Sequence, residues 1–506
     1  MTLNLYSFIF LADAIQTNYE NKNFPIYKAL NHFDDFYKTV YGNKLWRSLR
    51  LGLLCNNKYC AVINNYSDPQ SSIEYLENRG ALNIRTLFEL QYEKQKLKRN
   101  DFNTEKPKEI IQKMEEKMES LISDKEKTDK LSSIYCKYEK VPIKEKERVI
   151  IEDEEETTED EDETRKSVEK LSLIEGLKDA HIDKSRIIHP KNSVSAATLF
   201  EFIPATQIKG LETWISEVDH YEYYKKSLDF PINVEEENYL NFPEHLNVFT
   251  FEKCNINYFP KPSVGSTGVL NGGSILPVLA LDLKKGDRLL DMCGAPGGKS
   301  ITAFQTLMPD EVVCNDISLS RINRIRKVVK EYLYDDSTIN KFIISHQDGL
   351  SIDKFDYFNK ILVDVPCTND RISVNVNENN YFSSNRVKER LHLPELQCNI
   401  LTAALKLVAR GGTVVYSTCS LSPVQNDGVI QMALRRMWEE TDNEIVVNYK
   451  LSIALYYFRD LSQAFNPANI LYYIGNNIGM KYGIMVLPHL TANFGPMYFS
   501  KLKKLK

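Results

Sequence analysis

Two short runs carry a thiol at what reads as the carboxyl end of a buried strand: Asp364-Val365-Pro366-Cys367 and Ser417-Thr418-Cys419-Ser420. A single cysteine is more often a small buried hydrophobe than a nucleophile. Two at matching strand ends, one preceded by Asp and Pro, reverse that expectation. The chemistry that suits them is methylation at carbon 5 of a pyrimidine. That carbon is too weak a nucleophile to take a methyl group unaided. A thiolate adding to C6 turns the ring into an enamine, which attacks a sulfonium methyl. A carboxyl group hydrogen-bonding the base near N3 stabilises the adduct, and Asp364 is the candidate. A base then removes the C5 proton and the thiolate leaves. Methyltransferases that act on exocyclic amines need no thiol, and their Asp/Asn-Pro-Pro-Tyr/Phe strand end is absent from this chain. These residues alone leave open which of Cys367 and Cys419 attacks.

A methyl donor has to lie beside the thiols, and residues 289–300, Leu-Leu-Asp-Met-Cys-Gly-Ala-Pro-Gly-Gly-Lys-Ser, supply a loop for it. Apolar residues run into an acidic one, then a Gly/Pro-rich turn, then the helical pattern of 301–307. Open α/β sheets bind ligands at such strand–turn–helix junctions. A triphosphate-binding loop would need G-x-x-x-x-G-K-[ST] with its first glycine at 293, and Cys293 stands there. The loop therefore suits a methyl-donor site better than a nucleotide triphosphate. Asp316, 25 residues after Asp291 at the end of the next strand, is placed to accept hydrogen bonds from a ribose diol. Capping the following helix is its alternative task. Arg321 would brace the same region. Asp348, in His346-Gln347-Asp348-Gly349, is a candidate partner for an adenine amine or a plain Asp-Gly turn.

Positioning these groups requires a particular scaffold. Residues 288–291, 312–316, 342–345, 360–364 and 413–417 read as buried strands, separated by amphipathic helical segments at 319–333 and 396–409. The alternation predicts an α/β fold with a doubly wound, mostly parallel, Rossmann-like sheet over 263–506. Segments 482–486 and 497–501 would add antiparallel strands at its end. Residues 1–95 predict an α+β region. Residues 96–200 are a charged, largely disordered insertion, and 201–262 a connecting segment that packs on the N-terminal region.

The chain has 506 residues and a formal charge of −5, yet ten acidic residues crowd into 152–163, leaving the remainder at +5. The folded parts are thus mildly basic, compatible with nucleic acid. Nine cysteines without a C-x-x-C pair favour reduced thiols over a disulfide framework or a structural metal, so no metal is expected. No apolar run is long enough to span a bilayer, and residues 1–20, lacking Arg and Lys, read neither as a signal peptide nor as an Arg-rich transit peptide.

Taken together, residues 290–300, 315–321, 363–371 and 415–426 resemble the motifs of the Sun-domain (Fmu-like) RNA cytosine-5 methyltransferases, most of all the mitochondrial ribosomal-RNA member. Segments 31–65 and 492–505 agree with that member, so the resemblance covers about 1–70 and 248–506. It implies that Cys419, in Thr-Cys-Ser, is the nucleophile and that Cys367 assists product release. It also implies S-adenosyl-L-methionine as methyl donor. Cys293, Gly294, Ala295, Pro296, Gly297, Gly298, Lys299, Asp316, Arg321, Asp348 and Asp364 would form its site, with Asp364 also touching the base. It further implies small-subunit ribosomal RNA as substrate, a mitochondrial setting, a role in ribosome assembly, and a partner resembling the helical-repeat mitochondrial transcription-termination factors. Transfer RNA as the substrate, or a non-catalytic assembly factor, are the competing readings.

RNA contact is expected from Arg371, Arg386, Lys388 and Arg390, which flank the loop after Cys367, and from the lysines of 501–506. Their phosphate contacts would weaken with salt. The target cytosine must be unstacked to meet a thiol, so single-stranded or flipped RNA is expected.

Overall fold

The computed structural model describes residues 24–86, 88–89, 233–236, 240, 242–251, 267–333, 340–449, 473–474, 480–488 and 493–506. The charged insertion expected at 96–200 lies outside the described residues, as does most of 201–262. Every described residue belongs to one unit made of 1–133 and 214–506.

Ala29, Phe33, Phe36, Tyr37 and Tyr41 recur at helical spacing and form the buried stripe of α1 (Pro25–Leu54). Pro25 opens this helix, where its missing N–H costs nothing, and Gly42 (φ 75°) interrupts it. The chain continues through β1 (Tyr59–Ile63), α2 (Pro69–Asn78), β2 (Leu82–Asn83), β3 (Asn233–Glu236), β4 (Val248–Thr250) and β5 (Thr267–Asn271). Strands β2, β4, β1 and β5 lie side by side in that order as a small antiparallel sheet.

Beyond β5 come α3 (Ile275–Ala280), β6 (Asp287–Asp291), α4 (Gly298–Phe304), β7 (Pro309–Asn315), α5 (Leu319–Tyr332), β8 (Phe342–Ser345) and β9 (Lys360–Asp364). Then follow α6 (Asp370–Ser373), α7 (Val387–Leu407), β10 (Thr413–Thr418), α8 (Asp427–Glu440), β11 (Ile445–Tyr449), β12 (Tyr473–Ile474), β13 (Ile484–Leu487) and β14 (Met497–Lys504). Strands β8, β7, β6, β9 and β10 are parallel neighbours, and β14 runs antiparallel beside β10. The doubly wound, mostly parallel sheet is therefore present, closed at one side by antiparallel strands. Helix α7 begins nine residues ahead of the segment expected from periodicity and carries Pro394 inside it.

Alternation along the strands divides the apolar residues between the two faces. Leu290, Ile361, Val363, Val414 and Tyr416 pack with α1, α7 and α8. Leu289, Leu362 and Val415 pack with α3, α4 and α5 on the other. The chain winds outward from β6 to β8 and then returns to β9 on the far side of β6. That reversal opens a crevice beyond the carboxyl ends of β6 and β9.

Candidate active site

In the parallel pair β9–β10 Ser417 stands opposite Asp364, so the loops bearing Cys367 and Cys419 leave the sheet side by side. The two Sγ atoms are 3.1 Å apart, and the Cys419 backbone N–H donates to Cys367 Sγ at 3.4 Å. Cys367 is buried, and Cys419 is partly exposed. From the glycine loop on β6, Lys299 Nζ reaches Asp364 Oδ2 at 2.7 Å, while Ser417 Oγ donates to Asp364 Oδ1 at 2.7 Å. One crevice thus gathers the loop, the carboxylate and both thiols.

The electrostatics favour the protonated form of Cys419. The hydrogen bond with Cys367, then burial, then the Asp364 charge hold the Cys419 pKa well above the usual thiol value, while Lys299 pulls it down. Cys419 therefore rests as a thiol. Burial works to lower the Lys299 pKa, but its pairing with Asp364 prevails and raises it, so an ammonium persists at neutral pH.

The cofactor side is shaped by two glycines. Gly297 holds φ +102°, a left-handed conformation that starts α4 and that a side chain would strain. Gly294 is pressed against Cys314 Sγ and the Asp291 carboxyl, leaving no room for a Cβ. A Cβ on Gly298 would meet nothing within 4 Å, which leaves that side of the loop open to a ligand. Cys293 is half-buried, and burial, then the charges of Asp291, Asp316 and Asp364, raise its pKa. Asp316, 2% exposed, holds the turn that leads into α5. Its Oδ1 accepts from Ser318 N at 2.9 Å, and its buried Oδ2 has no hydrogen-bond partner. Arg321 stands 3.8 Å from that Oδ2. An orphaned buried carboxylate oxygen is what a ribose hydroxyl would satisfy. Asp348 is exposed and its Oδ1 accepts from Leu350 N at 3.0 Å, so it caps a turn at the same sheet edge. These residues fit S-adenosylmethionine.

Several positioning residues were not legible beforehand. Gln397 Nε2 donates to Pro366 O at 2.8 Å, and Gln425 Oε1 accepts from Thr368 N at 3.1 Å. Asn426 accepts from Thr418 Oγ1 at 2.6 Å and donates to Ser420 O at 2.9 Å. Asp370, wholly buried, binds both cysteine loops and Tyr37 of α1. The available signal was polar side chains set within apolar runs, Gln397 in 396–409 and Gln425–Asn426 before α8.

Of the residues assigned to RNA, some have other tasks. Arg371 is half-buried, and its guanidinium donates to Gly52 O (2.8 Å), Cys55 O (2.8 Å), Asn493 Oδ1 (2.6 Å) and Gly495 O. It ties the carboxyl end of α1 to the loop after Cys367, where helix carbonyls lack partners of their own. Lys501 and Lys504 are buried in β14, and Lys504 Nζ donates to Lys406 O and Val408 O at the end of α7. Arg386 pairs with Glu389 through two bonds of 2.7 Å and lies 4.0 Å over the Tyr381 ring. Arg390 lies 4.6 Å over the Phe382 ring. Lys388 is exposed beside them.

Among the described residues no group of three or more His, Cys, Asp or Glu side chains is gathered as a metal would need, and no helix is long and apolar enough to cross a membrane.

The family model 16S rRNA methyltransferase RsmB/F matches residues 278–503. The 5-cytosine rRNA methyltransferase nsun-4 of Caenorhabditis elegans is 32% identical over 504 residues, 95% of this chain and 92% of that protein. The chain belongs to the RsmB/F methyltransferase family. The chain is accordingly a cytosine-5 rRNA methyltransferase using S-adenosylmethionine. The mouse 5-cytosine rRNA methyltransferase NSUN4 is 38% identical over 277 residues, 53% of this chain and 68% of that protein. The mouse mitochondrial tRNA (cytosine(34)-C(5))-methyltransferase is 34% identical over 238 residues, 47% of this chain and 63% of that protein.

Proposed function

We propose that the protein methylates carbon 5 of a cytosine in small-subunit ribosomal RNA of the mitochondrion, with Cys419 as nucleophile. The observation that carries the chemistry is the Cys367–Cys419 pair, 3.1 Å apart beside the Lys299–Asp364 ion pair. The Lys299 ammonium lowers the cost of ionising Cys419. Cys419 then adds to C6 of an unstacked cytosine, and Asp364 hydrogen-bonds the ring as charge develops on it. S-adenosylmethionine, when bound, supplies the electrophilic methyl group. Cys367, beside the departing thiol, assists release of the methylated product.

Ribosomal RNA is favoured over transfer RNA because the similarity to nsun-4 spans 95% of this chain, whereas that to the transfer-RNA enzyme spans 47%. The mitochondrial setting, and a partner like the helical-repeat transcription-termination factors, follow from the sequence resemblance. Bisulfite sequencing of mitochondrial RNAs with and without the protein tests the target. One small-subunit cytosine should lose its modification in the null, whereas a loss confined to transfer RNA would replace this reading. Restoration of ribosome assembly by Cys419→Ala in a null strain would instead favour a non-catalytic assembly factor.

A further inference from the structure

Beside the two thiol loops lies a further acid, Asp370, which is 0% exposed and sits just past Cys367. Thr368 Oγ1 donates to its Oδ1 at 2.6 Å and Ser420 Oγ to the same oxygen at 3.1 Å. Thr368 and Ser420 each directly follow one of the two thiol residues. Its Oδ2 accepts from Leu421 N at 2.6 Å and from Tyr37 OH at 2.6 Å, and its own N–H donates to Cys419 O at 3.3 Å. One carboxyl group therefore ties together the residues after both thiols and a side chain from α1, more than 300 positions earlier.

We propose that Asp370 is the positioning residue that sets the distance and orientation of Cys367 relative to Cys419, and that Tyr37 makes α1 part of the catalytic machinery. The physical grounds are the donor count and the burial. Four donors converge on two oxygens, which is the arrangement an ionised carboxylate needs away from water. The Leu421 donor is a backbone N–H that cannot reverse its direction, whereas the hydroxyls of Thr368, Ser420 and Tyr37 can rotate. An asparagine amide at this position keeps an acceptor for Leu421 and can donate to the hydroxyls. Alanine removes all four side-chain bonds and leaves the two loops joined only by contacts outside this carboxyl, such as Asp370 N–H to Cys419 O and Thr368 Oγ1 to Ser420 Oγ. The inference rests on the reading that the two thiols act as a pair, and its test has an arm that needs no RNA.

In the full-length protein, Asp370→Ala, Asp370→Asn and Tyr37→Phe would be compared with wild type. The first arm measures how strongly the two thiols favour each other, by equilibrating the protein with oxidised and reduced glutathione. The two Cys–SH groups form one S–S bond as one glutathione disulfide becomes two thiols, and the pair is located by peptide mass mapping. Asp370→Ala should lower the equilibrium constant for the Cys367–Cys419 disulfide at least about tenfold, with Asp370→Asn restoring most of it. The second arm follows covalent adduct formation on RNA carrying 5-fluorocytosine, whose C5 has no proton to lose and so holds the adduct, counted per folded molecule. Adduct formation should slow in Asp370→Ala, and to a smaller degree in Tyr37→Phe. An unchanged glutathione equilibrium in Asp370→Ala, whatever its melting temperature, would overturn the positioning role. Absence of any adduct in wild type would instead overturn the catalytic reading and leave the first arm standing.

Discussion

Lys299 Nζ and Asp364 Oδ2 meet at 2.7 Å across the crevice, joining the first turn of α4 to the end of β9. The contact places a fixed positive charge beside Cys419, whose pKa Lys299 lowers against larger opposing effects. Replacing Lys299 by Met should therefore shift the alkylation midpoint of Cys419 to still higher pH and reduce kcat/KM about 100-fold. The midpoint is read from the rate of iodoacetamide labelling against pH. A downward shift would contradict the assigned role of the lysine.

The two thiols should give different phenotypes. Cys419→Ala removes the proposed nucleophile, and turnover should fall at least about 1,000-fold with cofactor affinity nearly unchanged. Cys367→Ala leaves attack possible but hampers departure, so a covalent protein–RNA adduct should accumulate and survive denaturing electrophoresis. Finding the adduct in the Cys419 variant instead would exchange the two roles.

Asp316 offers a test confined to the cofactor. Asp316→Asn preserves the acceptor that caps Ser318 N but replaces the buried Oδ2, which has no hydrogen-bond partner, by an amide donor. Loss of a charge-assisted bond to a ribose hydroxyl should weaken S-adenosylmethionine binding about 10- to 100-fold, measured by isothermal titration calorimetry. The melting temperature without cofactor should change little, because the capping bond survives.

The parallel strands were legible because a strand buried on both faces reads as an unbroken apolar run, as in 312–314 and 361–363. The crevice was legible for a related reason: a glycine loop and acidic strand ends are local signals, and Asp291, Asp316 and Asp364 each end or directly follow a strand. The start of α7 was less clear, since residues 387–395 are mostly polar and include Pro394. Asp370 was hidden because its partners Tyr37 and Ser420 lie far from it in sequence. Distance also misled the reading of charge. Arg371 and Lys504 resemble solvated cations until the chain brings the carbonyls of Gly52, Gly495, Lys406 and Val408 to them.

Arg371→Ala should consequently behave as a stability variant. Removing several guanidinium bonds to partly buried carbonyls should cost about 2–4 kcal/mol, measured by chemical denaturation. Lysine should not restore it, because a single ammonium cannot span acceptors on α1 and on 493–495. For the folded fraction, the slope of RNA affinity against salt should match wild type, whereas a residue contacting phosphate would reduce it by about one.

Asp291 gives the fold a pH dependence of its own. Burial first, and then the nearby Asp364 charge, push its pKa from 3.8 to about 7, against the opposing hydrogen bond from Ser300. Between those values the unfolded chain has released the proton that the folded protein retains. Stability from this group is therefore complete below about pH 4, falls as pH rises, and levels off above about 7. The sign is opposite to that of a salt-bridged aspartate, whose contribution is lost on acidification. Asp291→Asn removes the titration, so the variant should gain stability relative to wild type as pH rises from 4 to 7, by an amount on the order of 3 kcal/mol. Urea denaturation of both proteins at half-unit intervals measures the difference. A difference constant across that range would mean that the carboxyl ionises normally in the folded protein.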